Sequence, residues 1–577
     1  MENPERVTYF AATDSRGKKT PFGIKAKDRA RHMYVIGKTG MGKSTLLENM
    51  AIQDIRNGEG MAFIDPHGSA IETLLDFIPE HRIKDVVHFA PFDLDMPIAF
   101  NVMEDVGYDK RHLVTSGLMA TFKKIWQDAW SARMEYILTN TLLALLEYPG
   151  ATLLGVNRMY TDKVYRKKVV ENIKDPVVKD FWVKEFMTYT DRYTQEATPA
   201  IQNKIGQFTS NPLIRNIIGQ PKSSFDIREL MDQRKILLIN LSKGQVGDVN
   251  MRLLGSMLTT RLFLGAMSRA ELPQHELAKA PNFYFYVDEF QNFANETFAE
   301  ILSEARKYKL NLIIAHQYVE QMEEEVAAAV FGNVGTTIAF RVGPFDAEKL
   351  EVVFAPEFTP EDLVNLGFAQ IYLSLMIDGI GSRPFSAVTI PPIERPPRSW
   401  RQEVIEASRT QFGNPRAGIE KSIYDELSLN PDEAAPEPSP KRYLPPAGNQ
   451  RPRPAEPRRE NRAPAPRQEA RGAPAASART ADDLKAILKS TIAGVKTEKE
   501  QKTKQSEESL KSALADVVKK EQPAPKPHTQ QAQPKQQQQQ QPRQENRRPQ
   551  QPEHTRNTQS VFEVPEDVLR DIFKDKF

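Results

Sequence analysis

The sequence predicts an α/β domain on a mostly parallel sheet, interrupted by an all-α insertion and followed by a long disordered tail. Three observations carry this expectation. Short apolar or β-branched runs alternate with helical patterns on both sides of a strand-free stretch, which is the rhythm of crossover units in a parallel sheet. Between Glu104 and Pro221 the apolar residues recur at helical spacing only, as in a helix bundle. Beyond Arg395 the composition turns to proline, glutamine and arginine, with a glutamine run at 536–541. Such a segment buries too little apolar surface to offset chain entropy.

Taken in order, residues 1–104 hold the first part of the α/β domain. Met33–Ile36 reads as a strand, followed by a glycine-rich loop and a helix from Lys43 to Asn57; Met61–Ile64 and Val86–Phe89 are further strands. The insertion spans 105–221. There Phe122, Ile125, Trp126, Ala129, Trp130, Arg133, Met134, Ile137 and Leu138 read as one helical face, with both tryptophans in a bundle core. The second part, 222–394, contains Lys235–Asn240, Phe283–Val287, Leu310–Ala315 and Thr337–Val342. These runs do not alternate, which suits strands covered on both faces. A last strand, Ile371–Met376, precedes the proline-rich run at 391–398, where packed structure is expected to end. The tail, 395–577, carries short amphipathic helices near 482–493, 508–520 and 565–577. The last begins after Pro565 with Glu566 and Asp567 in its first turn, favourable helix-start residues.

Charge and composition exclude several classes. The 577 residues carry 78 Lys+Arg against 76 Asp+Glu, a net charge of +2. From Arg395 onward 34 basic residues face 26 acidic ones (+8), leaving 44 against 50 (−6) for residues 1–394. The chain is therefore no simple basic nucleic-acid coat. With no cysteine, disulfides, thiol catalysis and cysteine-bound metal centres are excluded. The N-terminus lacks a signal-peptide core, and no window of about 18 apolar residues offers a membrane-spanning helix. A soluble, cytoplasmic chain is expected.

The chemistry concentrates in two motifs. Gly37-Lys38-Thr39-Gly40-Met41-Gly42-Lys43-Ser44 fits the phosphate-loop pattern between a strand and a helix, with Thr45 next in the helix. Glycines let backbone N–H groups turn inward around phosphate oxygens, and the helix N-terminus adds partial positive charge. Lys43 is placed to reach the outer phosphates and Ser44 to ligate Mg²⁺. The plain alternative, a glycine-rich turn with an exposed lysine, leaves Ser44 unexplained. Phe283–Val287 then ends in Asp288-Glu289. Asp288 suits the magnesium shell and Glu289 the attacking water, although two acids at a strand end also suit helix capping. Gln317, at the tip of the next strand, is placed as a γ-phosphate sensor. Arg306, late in an expected helix over Glu296–Tyr308, can serve a neighbouring subunit's nucleotide or simply favour its own helix end. Asp65-Pro66-His67-Gly68 reads as a turn on the same sheet edge, with Asp65 lining the pocket as the alternative. No guanine-specifying motif occurs, since Asn172-Ile173-Lys174-Asp175 has the wrong spacing. ATP with Mg²⁺ is the expected ligand.

In combination GKTGMGKST, FIDPHG, FYFYVDEFQNF and SEARKYKLNLIIAHQ resemble the HerA–FtsK superfamily of DNA-pumping ATPases. Within it the likeness is to conjugative coupling proteins of the TraG/TraD type, over roughly residues 20–394. The resemblance implies a RecA-like motor that assembles as a homo-oligomeric ring, usually a hexamer, with DNA passing through its centre. It implies catalytic roles for Lys43, Glu289, a trans-acting Arg306 and the sensor Gln317, with Ser44 and Asp288 at the metal. It also implies that the all-α segment sits at the cytoplasmic mouth of the ring. Coupling proteins usually carry N-terminal transmembrane helices, a pattern from which this sequence departs. Either a membrane-anchored secretion component recruits it to the inner face of the membrane, or it works on cytoplasmic DNA as HerA-type translocases do. The basic tail reads as a DNA tether, or its end, Val564–Phe577, as a helix docking in a partner's groove. Two further readings are a secretion ATPase that does not act on DNA and a non-hydrolysing scaffold. The complete set Glu289, Arg306 and Gln317 argues against the scaffold.

Overall fold

The apolar runs become the buried strands of one eleven-stranded sheet. In the computed structural model, residues 3–14, 18–104, 106–189 and 191–428 are described. The short helices expected at 482–493, 508–520 and 565–577 lie outside these residues. In chain order the strands are β1 (Val7–Thr13), β2 (Pro21–Lys25), β3 (Met33–Ile36), β4 (Gly60–Asp65), β5 (Val86–Phe89), β6 (Ile236–Asn240) and β7 (Phe283–Val287). There follow β8 (Leu310–His316), β9 (Thr336–Ala339), β10 (Gln370–Ser374), a small hairpin of β11 (Met376–Ile377) and β12 (Ile380–Gly381), and β13 (Phe385–Thr389).

The spatial order is β2-β1-β13-β10-β9-β3-β8-β7-β4-β6-β5. From β9 to β5 all neighbours are parallel, and the β2–β1–β13–β10 side is antiparallel. Every residue of β3, β4, β6, β7, β8 and β9 is buried. Such strands need cover on both faces, and the pleat divides their side chains between two cores. Phe283, Phe285 and Val287 of β7 join Leu118, Phe122 and Leu258 of the helices on one side. Tyr284 and Tyr286 join Leu46 and Met50 of the helix Lys43–Arg56 on the other.

A buried knot fixes that second layer. Arg29 Nη1 donates to Asp54 Oδ1 at 2.6 Å and Nη2 to Asp54 Oδ2 at 2.8 Å and Tyr286 OH at 2.8 Å. Its guanidinium also lies 3.6 Å from the Tyr284 ring centre. Asp54 lies at the far end of the helix after the phosphate loop and Tyr286 in β7 two residues before Asp288, so that helix end is tied to the strand that carries the acids.

Between β5 and β6 every described element is helical. The single face expected over 122–138 is broken, however. The helix Arg111–Ile125 stops before a 3₁₀ turn at Gln127–Ala129, and Ser131 starts the helix Ala132–Leu146 by accepting the Met134 N–H at 3.3 Å. A serine cap competes with helix continuation, and Trp126 and Trp130 flank the break, half-buried against the core. Arg111–Ile125 lies close against the helix Asp248–Met267: a Cβ on Gly117 would fall 2.6 Å from Thr260 Cγ2.

Packed structure does not end at the prolines. Asn49 Nδ2 donates to Pro391 O at 2.9 Å and its Oδ1 accepts the Ile393 N–H at 3.0 Å. The helix Arg401–Phe412 follows, with Arg401 Nε 2.9 Å from Asp76 Oδ1 and Arg409 Nε 2.6 Å from Asp93 Oδ2. Its Ser408 Oγ accepts the His88 N–H of β5 at 2.9 Å, which shields an otherwise open sheet edge. The helix Arg416–Ser428 then packs Ile419 and Ile423 on Leu154. The expected boundary at 394 therefore falls too early. The prolines do not end the fold, because Asn49 clamps this run through the Pro391 carbonyl and the Ile393 N–H. No helix among the described residues is long and apolar enough to cross a membrane.

Candidate nucleotide-binding site

The parallel strands bring their C-terminal ends to one sheet edge, the usual place for ligands in such folds. The loop 37–42 leaves β3 there. Its start is slung between neighbours, with the Gly37 N–H donating to His316 O at 3.2 Å and the Lys38 N–H to Arg341 O at 2.8 Å. Gly37 is needed for close approach, since a Cβ would lie 2.5 Å from Phe340 Cβ. Gly42 is needed for conformation: its φ of 114° starts the helix Lys43–Arg56 and disfavours any residue with a Cβ. Thr39, Gly40 and Ser44 face solvent. The Lys43 ammonium closes on the loop's own carbonyls, Gly37 O at 2.6 Å and Lys38 O at 3.3 Å. Burial lowers its pKa.

Opposite the loop, β7 delivers the acids. Ser44 Oγ lies 3.2 Å from Asp288 Oδ2. Burial, then Glu289 and Asp65, push the Asp288 carboxyl up to about 6, so a cation is welcome beside it. Glu289 takes a left-handed conformation, φ 49° and ψ 49°, uncommon for a side-chain-bearing residue. Its carboxylate accepts from Gln317 Nε2 on one oxygen and from Gln291 Nε2 at 2.7 Å on the other. Gln317 Oε1 accepts from Thr39 Oγ1 at 2.9 Å. Loop, acid and the Gln317 amide thus form one connected chain of hydrogen bonds. His316, just before Gln317, is buried with Nδ1 3.2 Å from Tyr34 OH. Burial, then Lys43 and Lys124, lower its pKa to about 3, which keeps it neutral.

The structure brings together Gly37–Thr45, Asp288, Glu289 and Gln317, and leaves Arg306 apart. Arg306 is exposed in the turn Ala305–Tyr308 before β8, while Gln317 follows β8. Seven strand residues at about 3.3 Å each separate the two by roughly 20 Å, so Arg306 does not reach its own chain's loop. Asp65 is 1% exposed and its oxygens are occupied, accepting the His67 N–H at 2.7 Å and the Ala70 N–H at 2.8 Å. It shapes the turn while its charge acts on Asp288 and Glu48, and the His67 side chain is exposed.

Three contributors escaped the sequence reading. Glu48 stands one helical turn after Ser44, and burial, Asp65 and Asp288 push its pKa to about 7; the i+4 spacing was the available signal. Gln291 lay inside the acidic motif itself. Lys124, from the helical segment, donates to Gln291 O at 2.9 Å and to Ala294 O; its partners are backbone carbonyls, which leave no trace in sequence. Ser44 and Asp288 offer hard oxygen donors, and among the described residues no group of three or more His, Asp or Glu could hold a metal. Mg²⁺ fits such a site, because it keeps several waters and takes phosphate oxygens beside one or two protein ligands.

The family model for the DNA-binding domain of type IV secretion-system coupling proteins matches residues 20–353. Among solved structures, the bacterial conjugative coupling protein TrwBdeltaN70 in its unbound monoclinic form is 14% identical, with a TM-score of 0.49, over 69% of this chain and 91% of its own. The plasmid coupling protein TrwB with the GTP analogue GDPNP is 15% identical, TM-score 0.49, over 69% and 92%. VirB4 of Thermoanaerobacter pseudethanolicus is 14% identical, TM-score 0.42, over 70% and 99%. These stand as likenesses only. No curated protein matches the chain in sequence. The family match covers more than half of the 577 residues, and the chain belongs to the type IV secretion-system coupling proteins.

Proposed function

We propose that the chain is an ATP-hydrolysing motor that forms a homo-oligomeric ring, a hexamer by the family resemblance, and moves DNA through it for conjugative transfer or type IV secretion. The observation that carries this reading is the connected set Thr39–Gln317–Glu289 beside Ser44–Asp288, in a chain of the coupling-protein family. In this reading the loop's N–H groups and Lys43 hold the β- and γ-phosphates, Lys43 leaving its carbonyl partners for phosphate oxygens. Ser44 and Asp288 would hold Mg²⁺, which would supply positive charge beside the outer phosphates. Glu289 takes a proton from, or orients, the attacking water. Gln317, already bonded to both Glu289 and Thr39, orients that water against the γ-phosphate. Arg306 serves the nucleotide of the adjacent subunit, offsetting charge in phosphoryl transfer. Residues 105–221 act as the substrate-facing helical domain, and the motor works at the cytoplasmic side of a membrane-anchored secretion component.

The test is ATP turnover at low salt with and without single- and double-stranded DNA, for wild type and Glu289→Gln. The variant is expected to bind ATP and lose nearly all turnover. DNA should raise the wild-type rate several-fold, and salt should abolish that rise because phosphate contacts release counterions. Turnover indifferent to every DNA offered would refute the DNA motor.

A further inference from the structure

The acids and the sensor amide all stand on one flank of the phosphate loop, towards β8 and β7. A triphosphate threading the loop with its γ-phosphate towards Asp288 and Gln317 leaves its nucleoside on the other flank, towards β9, β10 and β13. There the segment Gly367–Gln370 presses on the loop. The Ala369 N–H donates to Met41 O at 3.3 Å, and Ala369 O accepts the Thr389 N–H at 2.9 Å and Thr389 Oγ1 at 3.3 Å. Gln370 Oε1 accepts the Gly367 N–H at 2.7 Å. Ala369 holds a φ of 61°, a left-handed conformation that persists only where surrounding contacts impose it. Between these anchors Phe368 is 75% exposed. Arg341 stands on the same flank, its Nη2 3.2 Å from Met41 Sδ.

A ring held out to solvent by a pinned, left-handed turn, one residue from a hydrogen bond to the phosphate loop, is a preorganised surface for a flat partner. We infer that Phe368 is the base-stacking platform of the nucleotide site, so that the site grips a nucleoside triphosphate by its base as well as by its phosphates. This rests on the nucleotide reading above. Aromatic stacking tolerates any base, because every base has a π-face. Purine triphosphates should therefore bind ahead of pyrimidine ones, by overlap area and without a hydrogen-bonding code.

The experiment measures binding of the full chain, with Mg²⁺, to the non-hydrolysable analogue AMP-PNP and to inorganic tripolyphosphate, which has no base. Phe368→Ala is expected to weaken AMP-PNP about tenfold, the loss typical of one stacked base. Tripolyphosphate affinity should stay unchanged, and Phe368→Trp should restore AMP-PNP binding. Unchanged AMP-PNP affinity in Phe368→Ala would overturn the inference. Equal weakening of both ligands would overturn it too, by showing that Phe368 merely props the loop. Wild type that binds neither ligand, or Lys43→Ala that binds both normally, would instead sink the nucleotide reading itself.

Discussion

Replacing Lys124 by methionine is expected to slow ATP turnover by about ten- to a hundredfold while sparing nucleotide binding and the fold. The Lys124 ammonium reaches from the helical segment to two carbonyls, Gln291 O and Ala294 O, in the turn that follows Glu289. The side chain of Gln291 in turn holds one Glu289 oxygen at 2.7 Å. Hydrogen bonds to a charged donor contribute about 1.5–3 kcal/mol each, so two supply about 3–6 kcal/mol. Against that, burial lowers the lysine pKa from 10.5 to about 8, which costs about 3 kcal/mol. The two nearly offset, and methionine, of similar length, should change global stability by only about 0–3 kcal/mol. What is lost is the tether on the Glu289 turn, and a displacement of about 1 Å at a reacting group costs on the order of a hundredfold in rate. Steady-state kinetics should show a fall in kcat at unchanged AMP-PNP affinity and little change in Tm. Lys124→Arg, which keeps a charged donor fork, should recover part of the rate. A Lys124→Met protein turning over within about twofold of wild type would refute the tether, since such a loss is far below the effect of a misplaced group.

Two further outcomes follow from the buried layer and the C-terminal segment. Burial, with a smaller push from Arg306, holds His32 neutral with a pKa of about 4 against 6.5. The unfolded chain takes that proton first on acidification, so the stability is whole above about pH 6.5 and is lost as pH falls towards 4, by about 3 kcal/mol. His32→Asn tolerates the φ of 61° and keeps an acceptor for the Leu312 N–H, now 3.1 Å from Nδ1. Urea melts between pH 7 and 4 should therefore show a shallower acid loss in this variant, and an unchanged slope would contradict the assignment. A chain ending at 394 loses the buried Val404, Ile419 and Ile423, each contributing about 1.5–3 kcal/mol, and uncovers β5. It should melt well below a chain ending at 428, and equal melts would show that the two C-terminal helices add no stability.

The centre of the sheet was legible because its strands are continuous apolar runs. Met33–Ile36, Val86–Phe89 and Phe283–Val287 occupy the expected residues, and the other central strands shift by one to three. On the antiparallel side only β10 was legible, as the run Ile371–Met376; β1, β2 and β13 were not. β1 and β2 are only partly buried, and β13 is set off by the β11–β12 hairpin, so these segments gain meaning only through pairing with one another. The phosphate loop, Asp288, Glu289 and Gln317 could be read from pattern because backbone geometry demands particular residue types there. Lys124 and Phe368 could not. A lysine bonded to carbonyls and a phenylalanine on a turn have no local signature, and their roles arise from which segments the fold sets side by side.

The interleaving of strands also orders events in time. None of β3, β4 and β5 neighbours another in the sheet; β3 lies between β9 and β8, and β4 between β7 and β6. Met33 pairs with Ile313 and with Thr336, residues made long after it. At about 5–20 residues per second, a ribosome would leave the first of these strands without a partner for roughly 15–60 s. The free edge at β5 waits longer still, until Ser408 meets His88. During synthesis the phosphate loop is therefore complete in sequence but hangs from a strand with no sheet. Nucleotide gripping can begin only when almost the whole described body has emerged, and a nascent chain interrupted before about residue 340 presents open β-edges to whatever protein is nearby.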